Sequence, residues 1–225
     1  MSDVIAALQS PDLPGLTAVE VGGDSSELDL SGALVARDRS AADGHPAAGP
    51  VSVRRVRVRE SELRGLVLEP GTAAGLTLVD VVLDGCGLSN VDGREGLMTR
   101  VELRRSQLVG FGFTRGEARD LRVVDSSLQL AAFTSATLHN VVFERVNLGE
   151  ASFMDARLDA VAFLDCRLEG VDFRDARLSA CAIRGASLDG VLGVESLRGV
   201  RMPWSDVLSS AGALAAALGI TIEHE

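Results

Sequence analysis

Three cysteines, Cys86, Cys166 and Cys181, are the side chains of this 225-residue sequence best suited to nucleophilic, redox or metal chemistry. Each of those uses needs a second group close by: a neighbouring thiol in a CxxC pair, or an imidazole to make the thiolate. Even the closest two, Cys166 and Cys181, are well separated in sequence, and His45, His139 and His224 are scattered over a loop, the middle of the chain and the tail. This spacing leaves the thiols reading as buried packing groups and assigns no catalytic residue, metal ligand or cofactor-binding residue. The carboxylates are the other candidates. Glu144, Glu150, Asp155, Asp159, Asp165, Glu169, Asp172 and Asp175 crowd one part of the chain. Two such groups facing each other across a groove could do acid–base work. Here each falls at an outward place of a short repeat, which spreads them over a surface and argues against an enzyme.

That repeat is the element that must position them. From Val53 to Leu188 every fifth residue forms a column of 28 positions, of which 25 are Val, Ile, Leu, Met or Phe; the exceptions are Ala73, Gly93 and Ala118. Chance would give about nine. Two residues before each stands a second series, Val51 to Ala186, in which 24 of 28 are Ala, Val, Ser, Cys or Gly. Neither series contains a charge. A period of 5 drifts around a strand, which repeats every 2, and around a helix, which repeats every 3.6. A short strand followed by a corner fits: places 1 and 3 of each five point inward and place 5 turns the chain. Place 5 is Gly, Asn, Asp or Ser in 16 of 28 cases, the residues that turns favour.

Four fives with four corners make a square coil, which predicts that every fourth member of a column stacks on the same face. Leu68, Leu88, Leu108, Leu128, Leu148, Leu168 and Leu188 form one such stack; Phe113, Phe133, Phe153 and Phe173 form another, opposite Phe143 and Phe163. Twenty-eight fives give about seven coils, a shaft roughly 34 Å long at the spacing of paired strands. Gly93 to Gly96 and Pro70-Gly71 are places where loops could interrupt it. The runs Ala151-Ser152-Phe153-Met154-Asp155-Ala156-Arg157-Leu158 and Val171-Asp172-Phe173-Arg174-Asp175-Ala176-Arg177-Leu178 resemble the pentapeptide-repeat family, with a pattern near Ala-Asp/Asn-Leu/Phe-x-x. The likeness extends over the whole repeat, 51–190. It implies an all-β fold, a right-handed quadrilateral β-helix, the hand being taken from the family. Place 2 departs from the family pattern, since Asp and Asn are rare there.

A stacked β-helix exposes a strand edge at each end and needs caps. Residues 1–50 are read as an N-terminal cap, with strand-like stretches at Leu16 to Val21 and Leu28 to Val35 and a mobile Ala/Gly/Pro-rich loop at 36–50. Residues 51–190 are the repeat domain. In 191–225 the frame slips to Leu192, Leu197 and Met202, a last irregular turn, and Pro203 then opens an α-helix over 203–218. Trp204, Val207, Leu208, Ala211, Leu214, Ala215 and Leu218 fall on one side of that helix, which either plugs the shaft or joins two copies at their C-terminal ends.

Charge bounds the partners. The formal net charge is -10, from 22 basic residues, all Arg, against 32 acidic. Residues 51–122 sum to +2 (12 Arg, 10 acids) and 123–190 to -4 (6 Arg, 10 acids). Acidity that rises along the chain argues against direct nucleic-acid binding. Mean hydropathy is +0.21, yet no apolar run approaches the ~18 residues of a membrane span, and no leader is evident, so a cytoplasmic location is expected. Stacking also gathers Val124, Val142, Ala162, Leu164 and Ala182 at outward places of one face. This is a candidate apolar contact that either the N-terminal segment or a partner covers. The resemblance extends to the quinolone-resistance branch of the family and implies a homodimer that imitates duplex DNA and engages DNA gyrase or topoisomerase IV. The alternative is an interaction scaffold with another protein partner.

Overall fold

The computed structural model describes residues 8–13, 17–18, 27–31, 33–36 and 55–222. Residues 37–54, and with them nearly all of the expected loop, lie outside these, as do His45 and His224. The strands are β1 (Thr17–Ala18), β2 (Glu27–Ser31), β3 (Ala33–Ala36), β4 (Arg55–Arg64), β5 (Gly71–Thr72), β6 (Thr77–Asp84), β7 (Val91–Asp92), β8 (Leu97–Arg104), β9 (Glu117–Val124), β10 (Thr137–Glu144), β11 (Arg157–Leu164), β12 (Arg177–Ser179) and β13 (Ala182–Arg184). All pairings are parallel. Thr77, Leu97, Glu117, Thr137, Arg157 and Arg177 are successive partners, so each coil consumes four fives of the chain. The long strands stack in seven rungs: β4, β6, β8, β9, β10, β11 and the β12–β13 pair.

The corners explain the period. Place 5 is left-handed at nearly every turn whatever its residue, from Gly65 (φ 65°) and Asn140 (φ 54°) to Leu130 (φ 59°) and Ala160 (φ 54°). Each left-handed residue redirects the chain without lengthening it. On two corners of each coil the turn closes by a bond from place 1 back to place 3, as in Ala131 N–H to Leu128 O at 3.1 Å and Ala136 N–H to Phe133 O at 3.0 Å. Positive φ at the third residue makes these type II turns.

Places 1 and 3 fill the shaft. All seven members of the Leu68 to Leu188 column are buried. Phe133, Phe153 and Phe173 stack nearly parallel at 5.0 and 5.3 Å, Phe143 stacks on Phe163 at 5.3 Å, and the two columns meet edge to face. Phe113 departs from its column and meets Phe133 at 65°. Small place 1 residues leave room for these rings: a Cβ on Gly116 would lie 2.6 Å from the ring of Phe113. Hydroxyls and thiols at place 1 donate to the carbonyl two residues back, as Ser126 does to Val124 O at 2.7 Å and Cys166 to Leu164 O at 3.4 Å. The coil runs on through Pro70-Gly71 and Gly93 to Gly96, the two places left open to a loop, since β5 pairs with β7 and Gly93 N–H reaches Gly112 O at 2.8 Å.

The N-terminal strands continue the stack: β2 and β3 lie on β4, and β1 on β3. At the other end the frame slips later than the sequence suggests. Leu192 still pairs beyond Asp172 and points outward, 48% exposed; the 3₁₀ turn Val194–Leu197 absorbs the change, and Arg201 pairs with Ala182. The single helix read over 203–218 is two, α1 (Trp204–Ser209) and α2 (Ala211–Ala217), parted at Ser210.

Candidate interaction surface

The cysteines give the surface no chemistry. Cys86, Cys166 and Cys181 are free and buried, and burial pushes the Cys166 thiol up to about 11. His139 is exposed with Nδ1 2.9 Å from Asp159. Among the described residues no group of three His, Cys, Asp or Glu converges. A shallow basin of about 480 Å³ opens where Gly110 and Gly112 occupy outward places, but its rim charges are neutralised by Asp92–Arg94 and Glu95–Arg115 pairs.

Ion pairing divides the surface. Among the described residues of the first coils many acids, though not Glu60 or Glu69, meet arginines on the next rung or two residues away: Asp80 with Arg100 through two bonds of 2.6 Å, Asp84 with Arg105, Glu95 with Arg115 at 2.7 Å, Glu102 with Arg104 at 2.5 Å. Hydrogen bonds from the arginines hold the Asp80 and Asp92 carboxyls below the usual range. Of the acidic candidates, Glu144 is bound by Arg122 at 2.8 Å and by Arg145, Asp172 by Arg174 at 2.7 Å, and Asp159 by His139. Glu150, Asp155, Asp165, Glu169 and Asp175 are exposed and form no ion pair among the described residues, and Asp189 is the same. Four of these, Glu150, Asp155, Asp165 and Asp175, sit on left-handed corners. Arg157, Arg167, Arg177 and Arg184 of the same coils, also without an ion pair among the described residues, lie on the flat faces between. The edges are therefore negative while the faces are mixed.

The apolar candidates are not solvated. Val142 is 2% exposed and Ala162 and Ala182 1% each, with Val124 at 9% and Leu164 at 8%. Leu8 packs on Val142, Ala162 and Leu164 together with Ala160. The segment runs on along the shaft: Gln9 N–H points to Asp120 Oδ1 at 3.5 Å and Asp12 N–H donates to Asp80 Oδ1 at 3.1 Å. Leu8, Asp80 and Asp120 escape sequence reasoning, because a single leucine outside the repeat leaves no periodic signal. The available clue is the apolar face they cover.

At the C-terminal end Asp206 accepts from Gly185 N–H at 2.6 Å and Ser210 Oγ from Leu188 N–H at 3.3 Å. Two backbone donors of the last rung are thereby satisfied, and Leu214 packs on the core. The rest of the expected helix side divides. Val207 and Ala215 are half-buried and Ala211 is exposed, while Trp204, Leu208 and Leu218 are 73%, 57% and 77% exposed, beside Ile220 and Ile222. No helix among the described residues is long and apolar enough to cross a membrane.

Residues 125–192 match the family model described as pentapeptide repeat region. No curated protein matches the sequence. Among solved structures, HetL of the cyanobacterium Nostoc sp. strain PCC 7120, a pentapeptide repeat protein involved in heterocyst differentiation regulation, is 18% identical, with 88% of this chain and 94% of that chain covered and a TM-score of 0.42. A trypsin-treated form of QnrB1, a plasmid-mediated fluoroquinolone resistance protein, is 18% identical over 88% of this chain and 100% of that one, with a TM-score of 0.37. Rfr23 of the cyanobacterium Cyanothece 51142 is 15% identical, with 84% and 86% covered and a TM-score of 0.18. The chain therefore carries a pentapeptide repeat region, at residues 125–192, within a parallel four-sided β-solenoid whose five-residue frame runs unbroken from Val58 to Leu188.

Proposed function

We propose that the protein is a non-enzymatic, cytoplasmic surface-binding rod, a homodimer joined at its C-terminal ends, whose acidic edges stand in for duplex DNA on DNA gyrase or topoisomerase IV. One observation carries the reading. Glu150, Asp155, Asp165, Glu169, Asp175 and Asp189 are exposed, unpaired among the described residues, and fall within two coils. Two coils rise roughly 10 Å, and a duplex presents about six phosphate charges over that length. Six carboxylates over the same rise, four of them on the edges and Glu169 and Asp189 on the faces beside them, match that density. Acids already bridged by arginine, such as Asp172, contribute less field, because their charge is cancelled within the molecule. The scaffold alternative relies on an open apolar face at Val142 and Leu164, and those side chains lie beneath Leu8.

A supercoiling assay with and without a fluoroquinolone tests this. Micromolar protein is expected to reduce supercoiling or to relieve drug-induced cleavage. Combined Asp155→Arg, Asp165→Arg and Asp175→Arg substitution removes the effect, while Leu164→Arg leaves it. Absence of any effect by the unmodified protein defeats the proposal.

A further inference from the structure

The segment Leu8 to Asp12 lies on the shaft in a way that exposes a match of two periods. Asp80 and Asp120 occupy the same corner two rungs apart, with Arg100 between them bonded to both oxygens of Asp80 at 2.6 Å. Asn140, on the next rung, donates to Asp120 Oδ1. Two rungs span roughly 9.6 Å, and three residues of extended chain span about 10 Å. An extended peptide laid along the axis therefore brings the N–H of one residue to Asp120 and that of the third residue after it to Asp80. Gln9 and Asp12 do this, and Pro11, which has no N–H, falls between them. One residue before Gln9, Leu8 enters the apolar site formed by Val142, Ala162, Leu164 and Ala160.

The fit of the resting occupant is incomplete. A cavity of about 110 Å³ remains between the segment and the shaft, bordered by Gln9, Ser10, Glu102 and Arg122. Arg122 Nε is buried there with no hydrogen-bond partner among the described residues. A buried donor left unmade is costly, so a peptide offering an acceptor at the place of Ser10 gains where the chain's own segment does not.

We propose that this corner is a docking groove for an extended peptide of a partner protein, occupied at rest by residues 8–12. The peptide carries an apolar side chain in the place of Leu8, an acidic side chain two residues later facing Arg122, and free N–H groups one and four residues after the apolar one. From the bound segment the two carboxylates accept only backbone N–H groups, so sequence preference comes from the apolar site and from Arg122. The groove is separate from the acidic edges, and its test is independent of any topoisomerase.

The test is fluorescence polarisation with a labelled peptide of residues 6–14, against the full chain, the full chain with Leu8→Asp, and that variant with Leu164→Arg added. The peptide is expected to bind Leu8→Asp at least tenfold more tightly than the unmodified chain, whose own segment competes, and to lose binding when Leu164→Arg is added. A peptide bearing Ser10→Glu binds more tightly than the parent. Failure to bind folded Leu8→Asp, equal binding to the Leu164→Arg variant, or no gain from Ser10→Glu overturns the assignment. If Leu8→Asp does not fold, hydrogen exchange on the unmodified chain decides. Gln9 and Asp12 amides exchanging at least a hundredfold faster than Val141 mark a segment that lifts alone; exchange at the rate of Val141 overturns the proposal.

Discussion

Phe111 fills the space that Gly93 leaves. Gly93 occupies a core place that holds a large side chain almost everywhere else, and Phe111 occupies a place that is small in most repeats; a Cβ on Gly93 would lie 3.3 Å from Cζ of Phe111, and 3.1 Å from Cδ2 of Leu76, which shares the layer. Two of the exceptions to the repeat thus form one compensated pair. Phe111→Ala is expected to cost about 3–5 kcal/mol by opening a cavity. Gly93→Leu alone overpacks the same layer and costs about 1–3 kcal/mol. Together they restore the ordinary pattern, so the double variant should be more stable than the sum of the singles by more than about 1 kcal/mol. Urea unfolding of the four proteins measures this, and strict additivity would show that the two sites do not share the layer.

The solenoid was legible because every fifth residue meets the same environment. A shaft of constant section imposes one size rule on each inward place, and the Leu68 to Leu188 column repeats it without exception. Pairing along the surface was partly legible: Asp80 and Arg100, Glu95 and Arg115, Asp125 and Arg145 all stand one rung apart, and their charges are opposite. The contacts of Leu8, Asp206 and Ser210 were not legible. They join the shaft to segments outside the frame, where no repeated neighbour reports on position. The helix break at Ser210 belongs with them, because its hydroxyl is committed to Leu188 N–H and that bond depends on where the last rung ends.

Leu130 holds a left-handed corner, φ 59°, with half its surface exposed. Its Cβ opposes that conformation, and its side chain recovers little by burial. Leu130→Gly should raise stability by about 0.5–1 kcal/mol, visible as a higher Tm. A lower Tm would mean that the exposed leucine makes a contact worth more than the corner strain.

Stability should fall at both ends of the pH scale, for different groups. Asp80, Asp92, Asp125, Glu144 and Asp172 have pKa values lowered mainly by side-chain hydrogen bonds from Arg100, Arg94, Arg145, Arg122 and Arg174. Because the folded values are depressed, their contribution is present above the unfolded carboxylate range, about pH 4, and is lost as pH falls through the folded values. Cys166 is raised from 9.0 to about 11. Its contribution is complete below pH 9 and is lost as pH rises toward 11. Calorimetry across pH 2–11 should give a plateau between about 5 and 9. A thiol reagent at pH 8 should label no cysteine until denaturant is added, and labelling of the native protein would contradict the burial that causes the shift.

Trp204, Leu208 and Leu218 lie at the same end of the rod as the last rung, whose Gly185 and Leu188 N–H groups are taken by Asp206 and Ser210. Capping alone leaves these large side chains in water, whereas a second copy meeting this end around a two-fold axis would bury them against one another. The expected state is a dimer by analytical ultracentrifugation at micromolar concentration. Trp204→Asp with Leu208→Asp should shift it to monomer while leaving Tm within a few degrees, because neither side chain supports the shaft. Asp206→Ala is the contrasting variant. It frees Gly185 N–H at the last rung, which should lower Tm and leave the association state unchanged. A protein that sediments as a monomer, with Trp204 fluorescence unchanged across a hundredfold range of concentration, would assign these helices to capping only.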